Sequence, residues 1–278
     1  MSATSTLHGK TILMSGGSRG IGLAIAVRAA RDGANVALIA KTVEPHPRLE
    51  GTIFTAAEEI EKAGGQALPI VGDVRDDATV LAAVEQAVAR FGGIDICVNN
   101  ASAIDLSSAE TISMKRYDLM QDINTRGTFL LSKACIPYLR RAANPHILTM
   151  SPPLSVDLKW FSPFLGYALS KFGMSMCTLG LAEELRDDGV AVNSLWPRTI
   201  IATAAVRNLL GGDEAMRRSR RPEIVSDAAH AILVRPSRQT TGNFFLVEDV
   251  LAAEGITDLS AYGYAGPAAE LQTDIFVD

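Results

Sequence analysis

Tyr167 and Lys171 are the first residues here whose types and spacing could do chemistry. They stand four apart in "GYALSKFGM", residues 166–174, where a segment of helical period begins. Side chains at that spacing share one helix face, with Cβ atoms about 5–6 Å apart. A phenol titrates near about 10, and an adjacent ammonium favours its ionised form and lowers that value. Such a phenol can give a proton to a carbonyl oxygen or take one from an alcohol. A second stretch prepares an anion site. Four glycines and two serines crowd into "SGGSRGIG", residues 15–22, directly after an apolar run. Gly16 permits a tight turn, Gly20 lets backbone N–H groups approach a ligand, and Gly22 allows close helix–sheet packing. The N–H groups that open the following helix then face an anion, and a pyrophosphate suits them.

The elements that must position these groups alternate along the chain. Apolar strand-like runs cover 10–16, 35–41, 67–74, "IDICVNNAS" (94–102), "HILTMS" (146–151), "VAVNSLWP" (190–197) and "GNFFLVEDV" (242–250). Helical periods lie between them. Ile21, Ile25, Ala29 and Ala30 share one face, and Ile53, Ala56, Ala57 and Ile60 another. "DDATVLAAVEQAVARFGG" begins with acidic cap residues and stops at paired glycines. Further helices are expected around 124–143 and from about 166 to 187. Strand–helix alternation implies parallel strands joined by crossover helices. The strand cores, such as Ile12, Leu13 and Met14, are apolar on consecutive residues, as burial on both faces requires. One doubly wound parallel sheet of about seven strands is expected over residues 1–278. No linker divides the chain, and no repeat recurs at periods of 20–50 residues.

Composition narrows the partners. The chain has 278 residues, 47% hydrophobic and 21% charged, which supports a large core. Its net charge of −5 argues against nucleic acid or an anionic membrane as the main partner. No apolar run is long enough to span a bilayer. "MSATSTLHGK" lacks the pattern of a secretory leader, and "DIFVD" matches no simple address tag. Cys97, Cys135 and Cys177 read as buried free thiols of a reducing, cytoplasmic compartment. No Cys/His grouping has metal-ligand spacing, so no metal is expected.

"SGGSRGIG", "GDVRD" (72–76), "VNNAS" (98–102), Asn124 in "DINTRGTF" and "YALSK" (167–171) occur together in this order. In these pieces the sequence resembles the short-chain dehydrogenase/reductase family over nearly its whole length. The resemblance implies a three-layer Rossmann-type fold and hydride transfer between a nicotinamide dinucleotide and a carbonyl/alcohol pair. Tyr167 would move the proton, and Lys171 would also hold the nicotinamide ribose hydroxyls. Asn124, opening a helix, would bend it and keep a proton-relaying water. The family's serine, usually the second of a Ser-Ser pair, is displaced here in Ser151-Pro152-Pro153-Leu154-Ser155. Ser151, Ser155 or neither supplies that hydroxyl. Ser151 is the expectation, because strand ends are rigid.

The resemblance also places a cofactor. Gly16, Ser18, Arg19, Gly20, Ile21 and Gly22 would surround the phosphates, Asp73 and Val74 the adenine. Asn100 and Ala101 would lie beside the dinucleotide, with Asn99 tying strands together. Pro197, Thr199 and Ile200 would line the carboxamide end. Enzymes that prefer NAD usually end the second strand with an acid. Here that place reads Ala40-Lys41-Thr42, and Arg19 precedes the second motif glycine. A 2′-phosphate would be attracted by both cations, so NADP(H) is expected. Trp160, Phe161, Phe164 and Leu165 offer an apolar wall for a lipid-, steroid- or acyl-like small molecule. Arg198 stands where the family has glycine, free to meet a phosphate, an anionic substrate or solvent. A substrate lid is expected at roughly 199–222, including the basic run 217–221. His46 and His230 are assigned no chemistry. Self-association as a dimer or tetramer is implied through helices beginning near 112 and 166.

Overall fold

Consecutive apolar residues divide between two faces in the first strand. The computed structural model describes residues 6–46, 49–266 and 270–278. In it, β1 (Thr11–Ser15) sends Ile12 and Met14 to one side and Leu13 to the other. β2 (Asn35–Ala40) does the same with Val36 and Leu38 against Ala37 and Ile39. Successive side chains on a strand alternate, so both faces need apolar cover. Helices α1 (Gly20–Ala30) and α2 (Ile53–Lys62) cover one face. Helix α3 (Asp77–Phe91) covers the other.

The remaining strands are β3 (Gln66–Val71), β4 (Ile96–Asn99), β5 (His146–Thr149), β6 (Ala191–Trp196) and β7 (Phe244–Leu246). They form a parallel seven-stranded sheet in the order β3-β2-β1-β4-β5-β6-β7. This is the three-layer, doubly wound fold expected from the alternation. The order reverses between β1 and β4, so a crevice opens beyond their C-terminal ends.

The helical segment expected near 124–143 starts ten residues earlier. α4 (Met114–Met120) runs through a π-helical turn, Gln121–Arg126, into α5 (Gly127–Leu139). Asn124 therefore lies inside a helical run and does not open one. α6 (Leu165–Glu184) carries Tyr167 and Lys171. The last strand ends earlier than "GNFFLVEDV" implied. Val247–Ala253 is a helix, α10, with Glu248 and Asp249 in its first turn and Val247, Val250 and Leu251 buried. Acids suit a helix N-terminus, and the apolar spacing is helical. Between β6 and α10 come α7 (Ala204–Leu209), α8 (Gly212–Arg217) and α9 (Glu223–Leu233). Cys97 and Cys135 are buried, but Cys177, expected buried, is only half-buried, at the margin of the core that holds the other two. His230 ties α9 to α1 through Asp32 (2.7 Å) and Arg28 (3.2 Å). Among the described residues no helix is long and apolar enough to cross a membrane. The first five residues of the segment read above for a leader lie outside the described residues.

Candidate active site

The turn after β1 is shaped by what stands beside it. Gly16 has φ +74°, and a Cβ there would lie 2.7 Å from Ala101 Cα. Gly20 has φ +56°. A Cβ on Gly22 would come within 2.5 Å of the Asn100 amide and 2.6 Å of the Gly16 carbonyl oxygen. The tight packing at Gly22 is thus against the loop after β4, whereas the sheet was expected. Asn100 fixes this contact by donating its amide to Gly16 O at 2.7 Å. Ser15 Oγ accepts from the N–H groups of Asn100 and Ala101. Arg19 is the N-cap of α1, and no side chain caps the helix. No acid lies in its first turn. Ser18 is buried, Ile21 half-buried. An uncapped N-terminus behind a glycine turn that excludes Cβ atoms fits a pyrophosphate.

The cations expected to choose the cofactor have partners. Lys41 Nζ lies 3.3 Å from Asp73 Oδ2, with over half of the lysine side chain exposed. Arg75 grips the same carboxylate with Nε at 3.0 Å and NH2 at 2.7 Å. The Arg75 hydrogen bonds, aided by the charge of Lys41, hold Asp73 at about 2. Arg19 reaches across to the carbonyls of Glu50 (3.0 Å) and Gly51 (2.9 Å), bracing the loop after β2. Val74 is buried below, in the core.

The second half of the site is built on α6. Tyr167 is 6% exposed, and burial, with the charge of Asp274, raises its pKa well above the ordinary phenol range. The lowering expected from Lys171 does not operate in this form. Lys171 Nζ instead donates to Met150 O at 2.7 Å and lies 4.8 Å from the centre of the Trp196 ring. Burial pulls Lys171 down to about 7, opposed by Asp274. Burial also raises Asp274, to about 7, while Lys171 opposes.

Asn124 is fully buried and uses its whole amide. It accepts from Ala103 N (2.7 Å) and donates to Ala103 O (2.9 Å) and Ser170 Oγ (2.8 Å). Ser170 in turn donates to Tyr167 O. The π turn thus aims one amide at both the loop after β4 and the first turns of α6. Asn99 ties β4 to Ser132 and Thr149.

Ser151, the expected catalytic hydroxyl, lies just past the end of β5. It is fully buried, and its Oγ pairs with Ser194 Oγ at 2.8 Å, which donates onward to Thr178. Residues on β6 and α6 thus occupy the hydroxyl from the interior side. Ser155 Oγ accepts from Asp157 N in an exposed turn. Pro197 and Ile200 are buried, and the Thr199 hydroxyl is buried without a partner. Arg198 faces solvent in part, and its guanidinium pairs there with Asp249 at 2.8 and 3.1 Å. The basic run is likewise engaged within the chain. Arg217 pairs with Glu214 and Arg218 with Glu270, while Arg220 and Arg221 donate to the carbonyls of Leu259 and Ala261.

The apolar wall has a centre that the sequence reading missed. Phe164 packs on Tyr167 at 6.3 Å and Phe161 stacks on Phe172 at 5.1 Å, but Phe276 touches five rings at once. The signal was two aromatic-flanking acids, "DIFVD", read only for an address.

Comparison with known proteins follows the same division. The profile of the short chain dehydrogenase family matches residues 10–212. Over 99% of its length the chain is 53% identical to hydroxysteroid dehydrogenase-like protein 2 of Xenopus laevis, of which it spans 65%. Segments 41–65, 132–154 and 195–205 carry that finer likeness in the sequence. A solved short chain dehydrogenase from Mycobacterium thermoresistibile is 61% identical, with TM-score 0.93 over 98% of this chain and 96% of that one. A solved dehydrogenase from Xanthomonas campestris is 52% identical, with TM-score 0.95 over 98% and 99%.

Proposed function

The chain belongs to the short-chain dehydrogenase family, and on that footing we propose an NADP(H)-dependent oxidoreductase acting on the carbonyl or alcohol of an apolar, lipid-, steroid- or acyl-like substrate. One observation carries the reading. Tyr167 and Lys171 share a face of α6, while the Cβ-excluding turn of Gly16 and the uncapped α1 stand at the same sheet edge. Bound nicotinamide supplies or takes the hydride. Tyr167 gives its proton to the carbonyl oxygen in reduction, and burial keeps that phenol protonated at neutral pH. Lys171, oriented by the Met150 carbonyl, is the residue to hold the ribose hydroxyls. Asn124 positions α6 through Ser170. Pro197, Thr199 and Ile200 are assigned to the carboxamide end.

Preference for NADP(H) rests on charge. Lys41 and Arg75 flank Asp73, and no acid ends β2. Fold alone does not choose: solved oxidoreductases at 24% and 25% identity are complexed with NADP and with NAD. A charge-assisted contact to a phosphate is worth on the order of 1.5–3 kcal/mol, about tenfold or more in affinity. Lys41→Asp should therefore lower the NADPH/NADH affinity ratio by about tenfold. An unchanged ratio on titration contradicts the assignment. We assign residues 199–222, with α7 and α8, as the substrate lid. A cytoplasmic location accords with the buried free thiols Cys97 and Cys135.

The decisive experiment follows NADPH absorbance with medium-chain ketones, aldehydes and acyl-CoA derivatives. Turnover of any carbonyl supports the reading. A second reading, a dinucleotide-binding scaffold with little turnover, is favoured by the Ser151 hydroxyl being engaged in the interior. Cofactor binding without turnover across the panel would select it.

A further inference from the structure

The end of the chain is pinned to the strip that follows β6. Ile200 N donates to Gln272 O at 3.0 Å, Thr199 bridges Thr273, and Asp274 N donates to Arg198 O at 2.9 Å. Trp196 Nε1 donates to Ile275 O at 2.8 Å. These bonds deliver Phe276 beside the reacting centre. Its ring is 3% exposed and lies 5.8 Å from the ring of Tyr167 and 5.1 Å from that of Phe172. Trp160, Phe164 and Trp196 close around it at 5.9–6.2 Å. Phe276 is also the one described non-glycine residue with positive φ, +75°. A bulky residue holds that backbone only where its surroundings impose it.

We infer that Phe276, carried by the C-terminal tail, is a specificity-determining residue of this site, filling the space beside Tyr167 and excluding substrates with an aryl ring attached to the reacting carbon. This rests on the oxidoreductase reading above. A carbonyl must approach the Tyr167 hydroxyl, and the groups on its carbon must share the volume around that ring. A packed interior yields little to added bulk. An extended alkyl or acyl chain is slimmer than an aryl ring and asks for less of that volume. An aryl ring attached directly to the carbonyl carbon meets an aromatic side chain already packed on five others.

The test compares 2-octanone with benzophenone as substrates for the full chain, with NADPH. Differences of a single methylene in an apolar pocket change selectivity by about 10-fold or more. Phe276→Ala should raise the benzophenone/2-octanone ratio of kcat/KM at least about tenfold, through a lower KM for benzophenone. Phe276→Leu should raise it less, and Phe276→Tyr should leave it unchanged. Equal losses for both ketones, with no change in ratio, would reduce Phe276 to a structural residue and overturn the proposal. If Phe276→Ala does not fold by circular dichroism, the Leu and Tyr variants carry the comparison. If the wild-type protein reduces neither ketone, the pocket is read by binding alone, and the oxidoreductase reading is decided separately by the full carbonyl panel. Trp160 and Trp196, the two tryptophans of the chain, both pack on Phe276 and report ketone titrations by fluorescence. The Kd ratio should then shift in the same direction in Phe276→Leu, and an unchanged ratio overturns the inference.

Discussion

Lys171 and Asp274 show how far one residue's chemistry depends on another distant in sequence. Burial draws Lys171 down to about 7 and lifts Asp274 to about 7, each opposed by the other's charge. Glu248 adds a further negative charge facing Asp274. The ammonium of Lys171 is the form that attracts ribose oxygens, and it dominates below its pKa. The carboxylate of Asp274 favours that ammonium, so Asp274→Asn should lower the lysine's pKa. The alkaline limb of kcat/KM for reduction should move to lower pH, by roughly one unit. A limb that stays in place would show that Asp274 does not govern Lys171. Neither partner was legible as such in the sequence. Lys171 was found through its spacing from Tyr167, but nothing in "TDIFVD" announces that its carboxylate reaches a helix a hundred residues earlier. Ser151 makes a related point. Its position at a strand end was readable, but which way its hydroxyl turned depended on Ser194, supplied by the neighbouring strand.

At the level of elements, the segment 114–139 joins three parts of the molecule through one amide. Asn124 satisfies the buried N–H and carbonyl of Ala103 and meets Ser170 on α6. Leaving a buried backbone group without a partner costs about 1–3 kcal/mol. Asn124→Ala should therefore destabilise the fold by about 2–4 kcal/mol, read as a fall in urea midpoint at unchanged slope. An unchanged midpoint would mean that water replaces the amide fully. Strands were the most legible elements, because two-faced burial writes itself as consecutive apolar residues in β1 and β2. Caps were legible too, as at Asp76, which accepts from Thr79 N at 2.8 Å. The π turn was not. Its hydrogen bonds span one residue more than those of an α-helix, and no residue type signals that. The start of α10 was also hidden, because Phe244, Phe245 and Leu246 run straight into Val247 without a turn residue between strand and helix.

Across the whole molecule, α5 and α6 each turn large apolar side chains outward. Leu169, Met176 and Leu179 on α6 are 44%, 60% and 50% exposed, and Phe129 on α5 is 51% exposed. Gly180 beside them leaves open space where a Cβ would stand. We propose that a second copy of the chain covers these side chains. Light scattering should then give a dimer or tetramer of the 29.6 kDa chain, and Met176→Asp should shift it toward smaller species. A monomer at micromolar concentration contradicts this proposal. The doubly wound architecture was readable from alternation alone, whereas the closing of the site by the chain's own end was not. Alternation fixes the order of layers. The tail has no period, and its place is set by Trp196, Arg198 and Phe172, which meet only after the sheet has formed.

Proton transfer by the Tyr167 phenol is tested most directly by the reduction rate of Tyr167→Phe, which keeps the ring and removes only the hydroxyl. General acid catalysis contributes about 10²–10⁴-fold. Turnover of a carbonyl with NADPH should therefore fall at least about a hundredfold, while the Kd for NADPH stays within about twofold of wild type. Retained turnover with unaltered cofactor affinity would contradict the role of this phenol.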